Sequence, residues 1–228
     1  QIAQQAQQLK LASLGRLTAG IAHEIRNPLG AISHAAQLLQ ESEELHGPDK
    51  RLAQIIQDHS RRMNLVIENV LQLSRRRQAE PQLLDLKYWL HRFASEFRSS
   101  AKPGQTLHLE TASGSIQTRM DPHQLNQVLS NLVENACKYS AKETPIHIEQ
   151  QDLGGSVQLS IFNLPGRAGW PLEARVFEKY YRSPGAQGQA GTGLGLFLVR
   201  SLVLSLRGHI AYKPTSQHVC FVLTLPKD

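Results

Sequence analysis

Apolar residues recur every three or four positions along the first eighty residues, which is the spacing of one helix face. The first series predicts a helix from about Gln4 to Glu41, which is expected to stop at Gly47-Pro48. A second series, close to a heptad repeat, predicts another helix that ends in a basic run before Pro81. The two series consist of Leu14, Leu17, Ile21, Ile25, Leu29, Ile32, Ala36 and Leu39, and of Leu52, Ile55, Ile56, His59, Met63, Val66, Val70 and Leu73.

Two long helices joined by a short turn are typical of an antiparallel hairpin. A single hairpin buries only one stripe of each helix. Two copies are therefore expected to associate as a four-helix bundle, which predicts a homodimer. This first domain is predicted to span residues 1–80.

The texture changes after a predicted linker near Gln78 to Leu83. Five segments alternate apolar with polar residues, as strands do, and are TLHLE (106–110), SIQTRM (115–120), PIHIEQQ (145–151), SVQLSIF (156–162) and HVCFVLTLP (218–226). Helical patterns lie between them at 83–99, 122–139 and 194–206. The pattern predicts an α+β domain over residues 83–228, with helices on one face of a mostly antiparallel sheet.

The composition of the 228 residues, with 40% hydrophobic and 19% charged, is that of an ordinary globular protein and excludes a disordered tail. The net charge of +6 would permit an acidic partner. The basic residues are scattered apart from Arg61-Arg62 and Arg75–Arg77, and such short runs are usually solvated helix faces. No direct nucleic acid binding is therefore expected.

The two cysteines, Cys137 and Cys220, have no metal-ligand spacing and make no disulfide framework, which favours a reducing compartment. The most apolar run, from Gly193 to Leu206, is short and contains Arg200, so it predicts a core helix and not a membrane span. We expect a cytoplasmic piece of a longer protein, whose sensor or membrane segment lies upstream.

The stretch IAHEIRNPLG, residues 21–30, places a proline inside the first predicted helix. His23 lies roughly 200° round the helix from Ile21, and so it is expected to project towards solvent. Pro28 has no N–H for the carbonyl of Glu24, which weakens the helix within a turn of the histidine. This placement makes His23 a candidate for chemistry, and the alternative is a surface histidine in a kinked helix.

Residues 121–140 predict a helix whose core face differs from its asparagine face. The apolar residues are Leu125, Val128, Leu129, Leu132 and Val133. Asn131 and Asn135 lie four apart, and their amide oxygens are suited to a hard cation such as Mg²⁺, while Lys138 can meet phosphate. The alternative is that both asparagines are ordinary helix-surface residues.

The segment GTGLGL, residues 191–196, opens a helix after a loop rich in Gly, Gln and Ala. Glycines allow close backbone approach, and a helix N-terminus presents unpaired N–H groups, so this segment is suited to phosphates. By itself it could also be a flexible turn. If the segment does bind phosphates, residues 183–190 would be a lid over the bound nucleotide.

The combination resembles the sensor histidine kinases of two-component signalling, and within them it looks most like the nitrogen- or pilus-regulating subtype. AHEIRNPL looks like the phosphoacceptor H box, NLVENACKYS the N box, VFEKYYRS the F box and GTGLGL the G2 box. The resemblance implies a dimerisation and phosphotransfer hairpin, followed by an ATP-binding α/β sandwich of the Bergerat type. It also implies a response regulator receiver domain as partner, and a full-length protein anchored in the inner membrane.

The resemblance implies roles for individual residues. His23 would be phosphorylated, Glu24 would be its acid/base partner, and Asn27 would orient water for dephosphorylation. Asn135 would hold Mg²⁺. The implied ATP site consists of Asn131, Asn135, Lys138, Tyr139, Asn163, Gly166, Gly191, Thr192, Gly193, Leu194, Gly195 and Leu196.

One segment departs from the family. Where the family's G1 box has Asp-x-Gly-x-Gly, this chain has IFNLPGR, residues 161–167. Strand alternation places Asn163 at the aspartate that reads adenine, whereas matching Pro165-Gly166 places Phe162 there; we prefer Asn163. The amide oxygen of asparagine still accepts a hydrogen bond. Because it is neutral, we predict weaker ATP binding than with an aspartate, and reduced discrimination against GTP.

Two other classes of function fit parts of the sequence. The altered G1 segment would suit a dimeric scaffold that no longer binds ATP. The two arginine runs would suit a helical dimer that binds nucleic acid, whose affinity should then fall steeply with salt.

Overall fold

The computed structural model describes Ala22 and residues 24–42, 45–74, 79–186 and 191–227. It divides into two compact units, one with the first two helices and one with the sheets and the remaining helices. Within the described residues, no helix is both long enough and apolar enough to cross a membrane.

The first unit is a helical hairpin. Helix α1 includes residues 24–41 and is not interrupted at Pro28, and helix α2 spans Gly47–Ser74. The sequence predicted that Gly47-Pro48 would end the first helix, but α1 ends earlier, at Glu41. Gly47-Pro48 opens the second helix, because proline lacks an N–H that the first turn of a helix leaves unpaired in any case.

The described side chains that are buried in the hairpin are mainly small or polar. They are Ala22, Leu29, Ala36, Ala53, Gln57 and Ser60. Leu29 is the large apolar residue among them, whereas other large apolar residues of the described part are exposed, namely Ile25, Ile32, Leu38, Leu39, Leu52, Ile55, Ile56, Met63 and Val66. Most of the described positions of the predicted apolar stripe are therefore exposed in a single chain.

The described residues of the second unit include three α-helices: α3 (Leu86–Ser100), α4 (Pro122–Tyr139) and α5 (Gly195–Ser205). Aspartates start the first two, since Asp85 accepts a hydrogen bond from Tyr88 N, and Asp121 accepts from the backbone N–H groups of His123 and Gln124. Ser115 donates a second hydrogen bond to Asp85, and together these bonds lower the pKa of that carboxyl.

In the part of the chain that the structure describes, seven strands form two sheets. The strands are β1 (Gln82–Asp85), β2 (Leu107–Glu110), β3 (Gln117–Met120), β4 (Ile146–Asp152), β5 (Ser156–Asn163), β6 (His209–Tyr212) and β7 (Val219–Pro226). Five of them form one sheet in the order β2-β4-β5-β7-β6, with β2 and β4 parallel and the other pairs antiparallel. Strands β1 and β3 make a separate antiparallel pair.

One face of the five-stranded sheet belongs to the core with the three helices. Alternate residues of β4 and β5, such as Ile148, Leu159 and Ile161, are at most 1% exposed and pack with apolar residues of α3, α4 and α5. The opposite face carries aromatic and polar side chains, including His147 stacked on Phe162. The observed α+β layer is the one that the sequence predicted.

Two strands were missed from the sequence. The segment 78–83, predicted as a linker, leads into β1, and the helix predicted from residue 83 begins only at Leu86. The short strand β6 follows Gly208, where a Cβ would lie 2.6 Å from the Leu225 side chain. Neither segment alternates for long enough to be recognised from its own residues.

Candidate functional site

The end of α4 is joined to the chain that leaves β5. Gly166 N donates to the Tyr139 carbonyl at 2.8 Å, and Ala141 N donates to the Leu164 carbonyl at 2.9 Å. A Cβ on Gly166 would lie 2.5 Å from the Ser140 carbonyl oxygen. This approach of two backbones requires glycine, and it brings the N-box helix beside the altered G1 segment.

Asn163 is the last residue of β5 and points into the inner layer. It is 4% exposed and continues the buried alternation of Leu159 and Ile161. Its Nδ2 donates to the Leu164 carbonyl at 3.1 Å. Phe162 lies on the opposite face of the sheet, against His147, so the geometry favours Asn163 as the inward residue of this segment.

The start of α5 lies beside Asn135. A Cβ on Gly195, the first residue of α5, would be 3.6 Å from Asn135 Nδ2. Whereas α3 and α4 each begin with an aspartate cap, α5 has no side-chain cap hydrogen bond. A helix N-terminus that lacks a side-chain cap offers N–H groups and positive potential to an anion such as phosphate.

The F-box segment holds the turn that leads into α5. Gly193 has φ +72°, and a Cβ there would lie 2.6 Å from the Tyr180 carbonyl carbon. Tyr180 N also donates to the Gly193 carbonyl at 2.9 Å. The two motifs recognised separately in the sequence are therefore one backbone assembly.

The remaining predicted ATP-site residues differ in their burial. Lys138 Nζ lies 4.7 Å from the centre of the Tyr139 ring, so this cation is at the α4 end of the site. Leu194 is 1% exposed, which gives it a packing role. The other residues, Asn131, Gly191, Thr192 and Leu196, are half-buried.

The predicted lid is described only in part. Residues 184–186 form a short 3-10 turn, and Arg182 Nη2 donates to the Ala186 carbonyl at 2.6 Å. A Cβ on Gly185 would lie 2.7 Å from the Ala168 carbonyl oxygen, which fixes this part of the loop against the chain after β5. Residues 187–190 lie outside the described residues.

His23 also lies outside the described residues, so its exposure stays a prediction. Its predicted partners Glu24 and Asn27 are both exposed on α1. Leu29 is 5% exposed, as expected for a position on the packed face. In the described part of the H box, Ala22 and Leu29 are therefore buried, whereas Ile25 of the predicted apolar stripe is exposed.

Among the described residues, no group of three or more His, Cys, Asp or Glu side chains is arranged to hold a metal ion. An amide oxygen such as that of Asn135 is a ligand for Mg²⁺, but one protein ligand is insufficient alone, so Mg²⁺ would enter with the nucleotide phosphates. Burial, and then Glu134, raise the pKa of the Cys137 thiol, which keeps it protonated and inert in α4.

Sequence reasoning missed two polar residues in the hairpin. Gln57 and Ser60 are 5% and 2% exposed, and Ser60 Oγ donates to the Leu29 carbonyl at 2.7 Å. They continue a stripe from Ala53 at helical spacing beside the apolar stripe. A search for apolar residues alone passes over such a stripe, although its spacing is visible in the sequence.

Two family models match the chain. The His Kinase A (phospho-acceptor) domain matches residues 13–79, and the histidine kinase-, DNA gyrase B- and HSP90-like ATPase matches residues 120–228. The chain belongs to the sensor histidine kinases. This assignment confirms the family resemblance and the predicted combination of a helical hairpin with an ATP-binding α/β domain.

Individual proteins agree with this assignment. The chain is 56% identical to the sensor protein kinase PilS of Pseudomonas aeruginosa, over 98% of this chain and 43% of that protein. The chain thus spans less than half the length of this relative. The structure of ShkA in complex with AMPPNP superposes with a TM-score of 0.69 at 20% identity, covering 92% of this chain and 45% of the other. The structure of ThkA in complex with the response regulator TrrA gives a TM-score of 0.65 at 23% identity, covering 97% and 64%.

Proposed function

We propose that this chain transfers the γ-phosphoryl group of ATP to His23 and then to an aspartate of a response regulator receiver domain. The observation that carries the proposal is the position of Asn135 beside the α5 N-terminus, which has no side-chain cap. The phospho-acceptor model, which matches residues 13–79, supports the assignment of His23 as the acceptor.

The catalytic unit supplies the nucleotide contacts in this proposal. The N–H groups of α5 donate to phosphate oxygens, and the Asn135 amide oxygen is the group that would hold Mg²⁺, which would supply positive charge next to the phosphates. Lys138 follows Asn135 by nearly one turn of α4, so its ammonium group can contact the phosphates. Asn163 Oδ1 accepts from the adenine amino group, while its Nδ2 stays bonded to the Leu164 carbonyl.

The hairpin supplies the acceptor. Glu24 takes the proton from one imidazole nitrogen of His23 and leaves the other nitrogen nucleophilic. The exposure of Glu24 and Asn27 agrees with a segment that must meet first a nucleotide and later a regulator. We also assign Asn27 to orienting water for dephosphorylation of the regulator.

The exposed apolar residues of the hairpin favour a second copy of this chain as its partner. Leu52, Ile56, Met63 and Val66 recur at heptad spacing, and they are between 36% and 57% exposed in the single chain. Their burial in a four-helix bundle forms the homodimer.

We further propose that the chain is the cytoplasmic kinase region of a longer, inner-membrane sensor of the pilus-regulating subtype. The 56% identity to PilS and the greater length of that sensor kinase support this assignment.

Labelling with [γ-³²P]ATP tests the kinase activity. Acid-labile, alkali-stable label is expected on the wild-type protein and absent from His23→Gln and Asn135→Ala. The control Asn126→Ala changes an exposed asparagine of the same helix and should keep the label. Intact wild-type dimers without any label would overturn the proposal and favour the scaffold.

A separate assay tests the role of Asn27. With a phosphorylated regulator as substrate, Asn27→Ala should keep autophosphorylation and lose dephosphorylation. Equal loss of both activities would assign Asn27 a structural role in α1.

A further inference from the structure

Two residues that weaken helices flank Leu29 in α1. Pro28 removes one backbone hydrogen bond and crowds the carbonyl of Glu24. Gly30 has the largest conformational freedom of any residue, and nothing lies within 4 Å of the place where its Cβ would be. Residues 24–41 are nevertheless helical throughout, so another contact must compensate at this point.

The compensating contact comes from α2. The Leu29 side chain is 5% exposed, and the Leu29 carbonyl accepts a hydrogen bond from Ser60 Oγ at 2.7 Å. Ser60 is itself 2% exposed, so water cannot easily take over this bond. Leu29 is thus joined to α2 through its backbone carbonyl and has a buried side chain, between the two weak positions.

We propose that Ser60 is a positioning residue for the phosphoacceptor segment. Its hydroxyl fixes α1 at Leu29, and through α1 it sets the orientation of the turn before Pro28, which carries Glu24 and Asn27. This role rests on the proposed kinase function. It differs from a general packing role because it depends on the weakness that Pro28 introduces.

A double-mutant cycle in the full chain separates the two roles. Ser60→Ala should lower the maximal rate of His23 labelling about fivefold, the size of one buried hydrogen bond, with the KM for ATP unchanged. Pro28→Ala restores the backbone N–H, so in that background Ser60→Ala should have no further effect. Equal effects of Ser60→Ala in both backgrounds would overturn the proposal.

Two further variants identify the group that acts. Ser60→Thr keeps the hydroxyl and should restore the rate, whereas Ser60→Cys keeps the volume but donates weakly and should resemble Ser60→Ala. A cysteine variant as active as the wild type would show that packing matters and would overturn the proposal. Ser33→Ala removes a hydroxyl from α1 itself and should leave the rate unchanged.

Hydrogen exchange gives a readout that does not need activity. Amides of residues 24–33 should exchange about fivefold faster in Ser60→Ala than in the wild type, and equally in Pro28→Ala with and without Ser60→Ala. Unchanged exchange would refute the positioning role of the Ser60–Leu29 hydrogen bond even if no label forms. Absence of label from the wild type, with the expected exchange pattern, would refute the kinase function but not the effect of this hydrogen bond on α1.

Discussion

The two units of this protein bury different kinds of side chain. In the catalytic unit, large apolar residues such as Leu90, Leu129 and Leu223 are fully buried. In the hairpin, the buried set is mainly small or polar, while Leu52 and Met63 are 57% and 51% exposed. The catalytic unit thus has an apolar core within a single chain, whereas the described part of the hairpin exposes most of its large apolar side chains.

This difference follows from what each unit must do. A nucleotide site needs fixed backbone approaches, such as those at Gly166 and Gly193, and a completed core holds them in place. In the proposed homodimer the hairpin packs against a second helix pair, and its exposed apolar residues are accessible for that contact. We therefore expect the exposed apolar residues to form the dimer interface, and variants in each unit test this difference between hairpin and catalytic unit.

The largest effect is expected from Ile56→Asp in the exposed stripe of α2. An unpaired charge in an apolar interface costs several kcal/mol, so the dimer dissociation constant should rise more than about hundredfold. Light scattering on the full chain measures the change. The control Leu204→Asp alters a residue of α5 that is 64% exposed, and the dimer should persist. If Ile56→Asp also remained dimeric, the two units would not differ as described.

A smaller effect is expected from Gly166→Ala in the catalytic unit. The added Cβ meets the Ser140 carbonyl at 2.5 Å, so the strand end and the helix end must separate. The free energy of unfolding should fall by about 2 kcal/mol, and ATP binding should weaken. Gly155→Ala is the control, because nothing lies within 4 Å of its Cβ position. Denaturant unfolding that gives equal losses for both variants would remove the argument for a required close approach.

Asn163→Asp should have opposite effects on binding and on stability. The charged acceptor of the variant should bind ATP more tightly by about 1 kcal/mol. The preference for ATP over GTP should also increase, because the wild-type amide can donate a hydrogen to the guanine carbonyl and an aspartate cannot. The substitution also removes the Nδ2 donor to the Leu164 carbonyl, which should destabilise the nucleotide-free protein. Calorimetric titration with both nucleotides, beside Asn163→Ala, measures the binding. Unchanged affinity in both variants would place the adenine contact elsewhere.

The smallest effect concerns His147 on the open face of the sheet. Burial, and then His108, lower the pKa of His147 below its usual 6.5, against the opposing influence of Glu110. The unfolded chain therefore binds this proton at a higher pH than the folded chain. The free energy of unfolding should fall as the pH drops below 6.5, and His147→Phe should reduce that fall. Thermal unfolding of wild type and variant between pH 7 and pH 5 would show parallel curves if this histidine did not contribute.

Sequence patterns predicted the locally encoded elements well. Helix α4 was predicted at its observed bounds, because Asp121 and Pro122 mark its start and its leucines keep helical spacing. Strand β1 was missed because its partner β3 lies far along the chain, and its exposed Leu83 gives no alternation. Pairing between strands that are distant in sequence cannot be predicted from the residues of either strand alone.

The candidate site was predictable in its parts but not in its assembly. The four motifs gave the residue types, whereas the approach of Gly195 to Asn135 depends on how α4 and α5 pack. The Ser60 bond to Leu29 was invisible for a different reason, since a buried serine follows no apolar pattern. Chemistry was thus predicted from local sequence, and its geometry required the tertiary contacts.

Dividing the chain between its two units gives the most direct test of the contrast between them. Residues 1–77 and residues 78–228, the two units without a cut inside β1, would be produced separately, then mixed with [γ-³²P]ATP, and their masses measured by light scattering. The account predicts a dimeric hairpin, a monomeric catalytic piece that binds ATP alone, and label on His23 of the hairpin only when both are present. A monomeric hairpin that is labelled equally well, or a catalytic piece that cannot fold without the hairpin, would contradict it.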